Sequence, residues 1–296
     1  DPTAPSFVLF VGDVDEIPAW PGKAGYHVTD FYYCEYTGDH LPEVYYGRFS
    51  AQTTEELQSQ VEKTLYYEQY QMAQPHYLEE ALLVAGNDES MEDIYGNGAM
   101  WYADTYYFNE ENGIRSHLFL QDPPTGNVAV GDSIVRNINQ GVGYANYTAH
   151  CSAAGWSNPF FSTTDIETLS NEGRYGLWVG NCCESLKFNE PECFGEAALR
   201  AHKKGAIGYL GGSNYTYWDE DYWWGVGTLE TPVEQPTYDE TGQGVYDGMF
   251  HTRSNEVSDP STWYITQGQI PVCGNLSVEA STSSLKTYYW ELYHLM

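Results

Sequence analysis

The chain has 296 residues, with 42 Asp and Glu against 12 Lys and Arg and a formal net charge of −30. That length supports one large domain or two small ones with a sizeable core. The charge repels nucleic-acid phosphates and favours basic ligands. No run of ~18 apolar residues is present to span a membrane, and 27 Tyr with 9 Trp exclude a disordered chain.

The N-terminal stretch DPTAPSFVLFVGD has neither a basic region nor a cleavage site, so it contains no signal peptide. Five segments then share one pattern, a short apolar run that stops at polar residues. SFVLFVGDVD ends at Asp13 and Asp15, EALLVAGNDES at Asp88, VGYANYTAHCS at His150 and YGLWVGNCC at Cys183, while GAIGYLGGSNYTYWDED ends in a polar, aromatic loop. Non-alternating runs of this length predict strands buried on both faces, hence a parallel sheet.

Helices are expected between them. Thr53 to Glu56 reads as a capping box opening LQSQVEKTLYYEQYQ, and Thr164 to Glu167 as a second one. DSIVRNINQ predicts a short helix, and FGEAALRAHKKG (194–205) a helix with basic residues in its last turn and Gly205 as C-cap. Alternating strands and helices predict an open, mostly parallel α/β sheet with flanking helices in αβα layers. From about residue 228 the sequence is loop-rich. Pro75 marks a boundary between an N-terminal α/β part (1–75) and a second part (76–296).

Ligands of such sheets bind beyond the carboxyl ends of the strands, so Asp88, His150, Cys183 and the loop after residue 211 are expected on one edge. A His and a Cys ending two successive strands can act as base and nucleophile, with freed backbone N–H groups as oxyanion donors. Strand geometry turns adjacent Cys182 and Cys183 to opposite faces, which excludes a zinc corner, and Cys182 also reads as a buried core residue. In TGDHLPE (37–43), Asp39 and Glu43 are hard oxygen ligands with carbonyls between them, and Asp13 is placed to complete a calcium shell.

The stretches ANYTAH, GNCC, ECFGEA and YWDEDYWWGVG resemble the gingipains, caspase-like cysteine peptidases of family C25, and within them the lysine-specific branch. The likeness runs from FVLFVGDVD to YYWELYHLM. It implies a caspase-like α/β fold in a secreted or cell-surface bacterial endopeptidase that cuts after basic residues, preferentially Lys. In that case 76–296 is the catalytic part, and 1–75 is the remainder of a subdomain with a further strand and helix upstream. The resemblance implies Cys183 as nucleophile, His150 as base and Asp88 as its orienting acid. It assigns the pocket for the residue before the scissile bond to Thr148, Asn181, Tyr217, Trp218 and Asp221, and supports a structural calcium at Asp13, Thr37, Asp39, Leu41 and Glu43. Glu196 is either part of a second metal site or a favourable charge at a helix start. Expected partners are basic protein and peptide substrates, and a propeptide or cleaved N-terminal segment.

The family has His-Gly where this chain has His150-Cys151. The N–H of residue 151 still serves the oxyanion hole, but the added Cβ crowds it, so a catalytically impaired homologue that binds basic peptides is the alternative. A bridge from Cys151 to Cys183, capping the nucleophile, is a further expectation for this departure.

Overall fold

Four of the five apolar runs form strands because each is sandwiched between two layers of helix. In the computed structural model, which describes residues 5–121, 131–250 and 264–296, the strands are β1 (Phe7–Val11), β2 (Trp20–Pro21), β3 (Val28–Thr29), β4 (Tyr45–Phe49), β5 (Glu80–Ala85), β6 (Arg115–Phe119), β7 (Tyr144–Thr148), β8 (Cys151–Ser152), β9 (Gly155–Ser157), β10 (Phe160–Ser162), β11 (Leu177–Asn181), β12 (Gly208–Gly212) and β13 (Tyr293–Leu295). The α-helices are α1 (Thr54–Glu68), α2 (Gly98–Tyr106), α3 (Gly131–Gln140), α4 (Thr163–Thr168), α5 (Phe194–Arg200), α6 (Trp218–Val226), α7 (Val245–Phe250), α8 (Gln269–Ala280) and α9 (Lys286–Leu292).

The main sheet has the order β13-β12-β11-β7-β5-β6 and is parallel except for β13. Successive residues of β5 serve opposite faces. Ala81, Leu83 and Ala85 pack with α2, α6, α7, α8 and α9, while Leu82 and Val84 pack with α3, α4 and α5. Both faces are covered, which is why the strands carry no polar alternation. The fold is thus the mixed α/β, αβα arrangement expected.

β1 departs from its expected role. It pairs only with β4, in a separate two-stranded sheet, and Phe7, Leu9 and Val11 are exposed. Two details of the helices differ as well. The second capping box is Ser162–Asp165, two residues earlier than expected, and α5 ends at Arg200 rather than running to Gly205. YWDEDYWWGVG, expected as loop, is mostly α6, and the loop-rich C-terminal third also contains α7, α8 and α9.

Two long-range ties fix the outer elements. Glu291 in α9 accepts the backbone N–H groups of Lys23 (2.8 Å) and Ala24 (2.9 Å) and the Tyr32 hydroxyl. Lys63 in α1 is buried, and its Nζ donates to the carbonyls of Ala198 and Lys204 at 3.2 and 3.1 Å, holding α1 against the end of α5. Burial lowers the Lys63 pKa to about 7. Between about 7 and 10.5 the unfolded chain therefore binds the proton that the folded one lacks. The Lys63 contribution to stability should rise with pH across that window, so in urea unfolding the stability of the parent relative to Lys63→Met should increase as pH rises from about 7 to 10.5.

Candidate active site

Register places the site. Ala85, Thr148 and Asn181, the last residues of β5, β7 and β11, lie side by side. Asp88 follows three residues beyond the first, and His150 and Cys183 two residues beyond the others. The three side chains singled out by the sequence thus leave adjacent strands at one level. The His150 Nε2 lies 2.7 Å from the Asp88 Oδ2. That hydrogen bond is the main cause holding the Asp88 carboxyl down at about 2, helped by Ser90. With Asp88 ionised, Nε2 carries the proton, and the lone pair of the ring is on Nδ1.

Cys183 is a free thiol, half-buried, and takes an N–H from Thr216 at 3.4 Å. Among the described residues it makes no hydrogen bond to His150. Burial raises the Cys183 pKa, so the resting sulfur is a thiol and needs the histidine to activate it. The His150 ring meets the Trp218 ring edge-on, centroids 5.4 Å apart, and Trp218 in turn packs on Tyr95 at 5.9 Å.

Cys151 is bridged, to Cys182 and not to Cys183, with Cα atoms 5.5 Å apart. This corrects the expected capping of the nucleophile. Cys182 points into the apolar layer with Trp156, Leu186 and Phe194, so strand alternation turns Cys183 to the other side. The segment after His150 forms the hairpin β8–β9, in which Ser157 N–H donates to the His150 carbonyl at 3.0 Å. Hydrogen-bonded pairs alternate in such a ladder, so the next pair, Cys151 with Trp156, leaves the Cys151 N–H facing outward.

The pocket residues converge through α6, whose N-cap is Tyr217. Asp221 is 6% exposed and accepts hydroxyls from Tyr293 (2.7 Å) and Tyr289 (3.2 Å). Burial raises its pKa to about 7, against these hydrogen bonds and one from Thr216. Thr216 lies between the two ends of the site, its hydroxyl 4.0 Å from the Cys183 sulfur. Asn181 accepts from Asn146 at 2.9 Å and donates to Tyr293 at 3.1 Å, so its amide extends the network under Asp221. Thr148 is buried level with Asn181, and Tyr217 is 47% exposed over Tyr288. Sequence reasoning missed Thr216, Tyr289 and Tyr293. Thr216 stands inside the stretch already singled out, whereas the two tyrosines come from α9 and β13 with no motif to mark them.

Asp13, expected to complete the calcium shell of the 37–43 loop, and Glu196, expected in a second metal site or as a helix-start charge, take the same partner. Asp13 and Glu196 are buried, and both pair with Arg200, at 3.1 and 2.7 Å. Asp39 accepts the Leu41 N–H within its own exposed loop, and Glu43 accepts the Thr37 hydroxyl and the Tyr36 N–H. Among the described residues no three His, Cys, Asp or Glu side chains gather as a metal site. The guanidinium of Arg200 supplies the positive charge that Asp13 and Glu196 need.

A Cys–His pair with an orienting Asp, beyond the carboxyl ends of a parallel sheet with helices on both faces, is the arrangement of a caspase-like cysteine peptidase. The family model of peptidase family C25 matches residues 1–296, and the chain belongs to that family. It is 38% identical over 295 residues to Lys-gingipain HG66 of Porphyromonas gingivalis, covering 99% of this chain and 16% of that protein. To gingipain R2 of the same organism it is 31% identical over 211 residues, 68% of this chain and 27% of the relative. A solved chain described as "Structure of Protease" superimposes with a TM-score of 0.89 at 37% identity, covering 100% of this chain and 64% of that one. Two further solved structures, the Arg-specific cysteine proteinase gingipain R (TM-score 0.73) and the complex of RgpB pro- and mature domains (0.74), share the fold at 20% identity; each comparison covers 98% of this chain, and 62% and 64% of the other. The chain therefore spans about one-sixth of the Lys-gingipain it matches.

Removing Arg200 leaves two carboxylates buried without a counter-charge, which costs about 3–5 kcal/mol. Arg200→Ala should lower the unfolding free energy by that amount in guanidinium titrations.

Proposed function

We propose that the chain is the catalytic region of a secreted cysteine endopeptidase that cleaves after basic residues, lysine first. The observation that carries this reading is Asp221, a buried carboxylate linked through Thr216 to the sulfur of Cys183. A lysyl side chain lying past Tyr217 and Trp218 brings the ammonium that this carboxylate lacks, while the aromatics cover its aliphatic stem.

In the reaction, the Cys183 sulfur leaves Thr216, gives its proton to Nδ1 of His150 and attacks the carbonyl carbon. Asp88 fixes the ring through Nε2 and stabilises the imidazolium. The N–H groups of Cys183 and Cys151 receive the oxyanion. His150 then protonates the leaving amine, and water hydrolyses the thioester. Substrates are proteins and peptides with basic residues, and a propeptide is the expected partner, in keeping with the pro- and mature-domain complex solved for a gingipain of like fold. Among the described residues no helix is long and apolar enough to cross a membrane.

Cleavage profiling on a mixed peptide library tests the reading, with Lys at the cleaved position as the expected result and any other preference overturning it. Cys183→Ala should abolish hydrolysis. A thiol-reactive lysyl peptide should label Cys183 of the parent, whereas a binding-only homologue would stay unlabelled.

The pocket predicts a pH limb. The Asp221 carboxyl loses its proton as pH rises through about 7, and only the ionised form attracts an ammonium. The kcat/KM for a lysyl peptide should rise through that pH. Asp221→Asn should lower it roughly ten- to a hundredfold, the loss of one charge-assisted contact of ~1.5–3 kcal/mol.

A further inference from the structure

The Cys151–Cys182 bridge joins the two residues that stand next to the base and the nucleophile. Cys151 directly follows His150, and Cys182 directly precedes Cys183. β7 and β11 are held together by ladder hydrogen bonds only as far as Thr148 and Asn181. Beyond that row the two chains part. One turns into the β8–β9 hairpin, with Ser157 N–H on the His150 carbonyl. The other turns toward the loop after β12, with Glu184 N–H on the Asn214 carbonyl at 2.8 Å. No backbone hydrogen bond among the described residues joins 149–152 to 182–185, so the bridge is what ties the two segments where the dyad sits. Its Cα separation of 5.5 Å is close to the spacing of paired strands, about 4.8 Å, so it extends the pairing past the end of the ladder. The Cys151 sulfur also lies 2.9 Å from the backbone carbonyl oxygen of Cys183.

We propose that Cys151 and Cys182 are positioning residues: their disulfide holds the backbones of His150 and Cys183 in register beyond the strand ends, and with them the outward N–H of Cys151. The proposal rests on the peptidase reading above and adds to it a covalent requirement. Cys182 is fully buried, whereas Cys151 is partly exposed, so a dithiol attacks the Cys151 sulfur and Cys182 leaves as the thiolate. The dithiol gives up two electrons and two protons and closes to a cyclic disulfide, leaving two cysteine thiols. Reduction, which ordinarily serves a cysteine peptidase by keeping its nucleophile as a thiol, here also undoes the alignment.

Two measurements on the whole chain under anaerobic conditions test this. Non-reducing peptide mapping should find residues 151 and 182 in one linked pair, with Cys183 alkylated by iodoacetamide. The pH profile of Cys183 alkylation, read by mass spectrometry, should lie at lower pH in the bridged protein than after dithiol reduction, because only the aligned histidine assists the thiol. In turnover, reduction should lower kcat about tenfold or more with KM for a lysyl peptide unchanged, the cost of a small misplacement of reacting groups. The Cys151→Ala/Cys182→Ala double variant should match the reduced parent and ignore dithiol. If that variant does not fold, the reduced parent decides alone. A linkage other than 151–182, an unchanged alkylation profile, an unchanged kcat in an active enzyme, or a loss of kcat that coincides with loss of the folded state overturns the proposal. The alkylation arm needs no peptide turnover. A protein that shows the shift but cleaves no peptide keeps the positioning role and refutes the peptidase reading.

Discussion

The register of four parallel strands governs everything else in this molecule. Hydrogen bonding sets β5, β7, β11 and β12 side by side, and a slip of one residue would turn every side chain to the wrong layer. Once the ladder is set, the chain leaves each strand at nearly the same height. A carboxylate, an imidazole and a thiol then need only two or three further residues to meet. The apolar layers above and below serve the same end, because rigid strands are what keep short polar tails in a fixed relation.

The pocket depends on a different kind of constraint. Asp221 sits among hydroxyls, and among the described residues it forms no ion pair. Tyr289 and Tyr293 donate to it, Tyr293 also accepts from Asn181, Asn181 accepts from Asn146, and Tyr246 donates to Asn146 at 2.7 Å. Each member is satisfied by its neighbours, which makes burial of the chain of polar groups tolerable. The carboxylate at its end is nevertheless held near its point of ionisation, and that leaves room for a ligand's charge to decide its state.

Much of this was legible in the sequence. Apolar runs without alternation identified β5, β7, β11 and β12, and their polar ends identified Asp88, His150 and Cys183. β1 obeyed the same pattern, yet it lies in a sheet whose outer face is open, a tertiary fact that hydropathy does not encode. α6 was hidden because its sequence is aromatic and acidic together and lacks a cap of the usual kind. β13 is only three residues long and pairs antiparallel with β12 across a wide gap in sequence. The carboxylates of Asp13 and Glu196 were recognised as needing positive charge, and Arg200, four residues after Glu196, supplies it to both. The partner of Cys151 could not be read from spacing, since Cys182 and Cys183 differ by a single step; the direction in which each points settles it.

Glu291 ties Lys23 and Ala24 across 268 and 267 positions of sequence, and the same terminal stretch supplies Tyr289, Tyr293 and the edge strand β13. Contacts of such separation form late, because the intervening chain must first be ordered. In any state where residues 286–296 have not yet docked, β5, β7 and β11 still have each other to pair with. At that stage His150 and Cys183 have their strands, but Asp221 lacks Tyr289 and Tyr293 and β12 has an open edge. The surroundings of Asp221 are thus complete only once α9 and β13 have docked, so the level at which His150 and Cys183 leave their strands is set by one part of the chain and the setting of Asp221 by another.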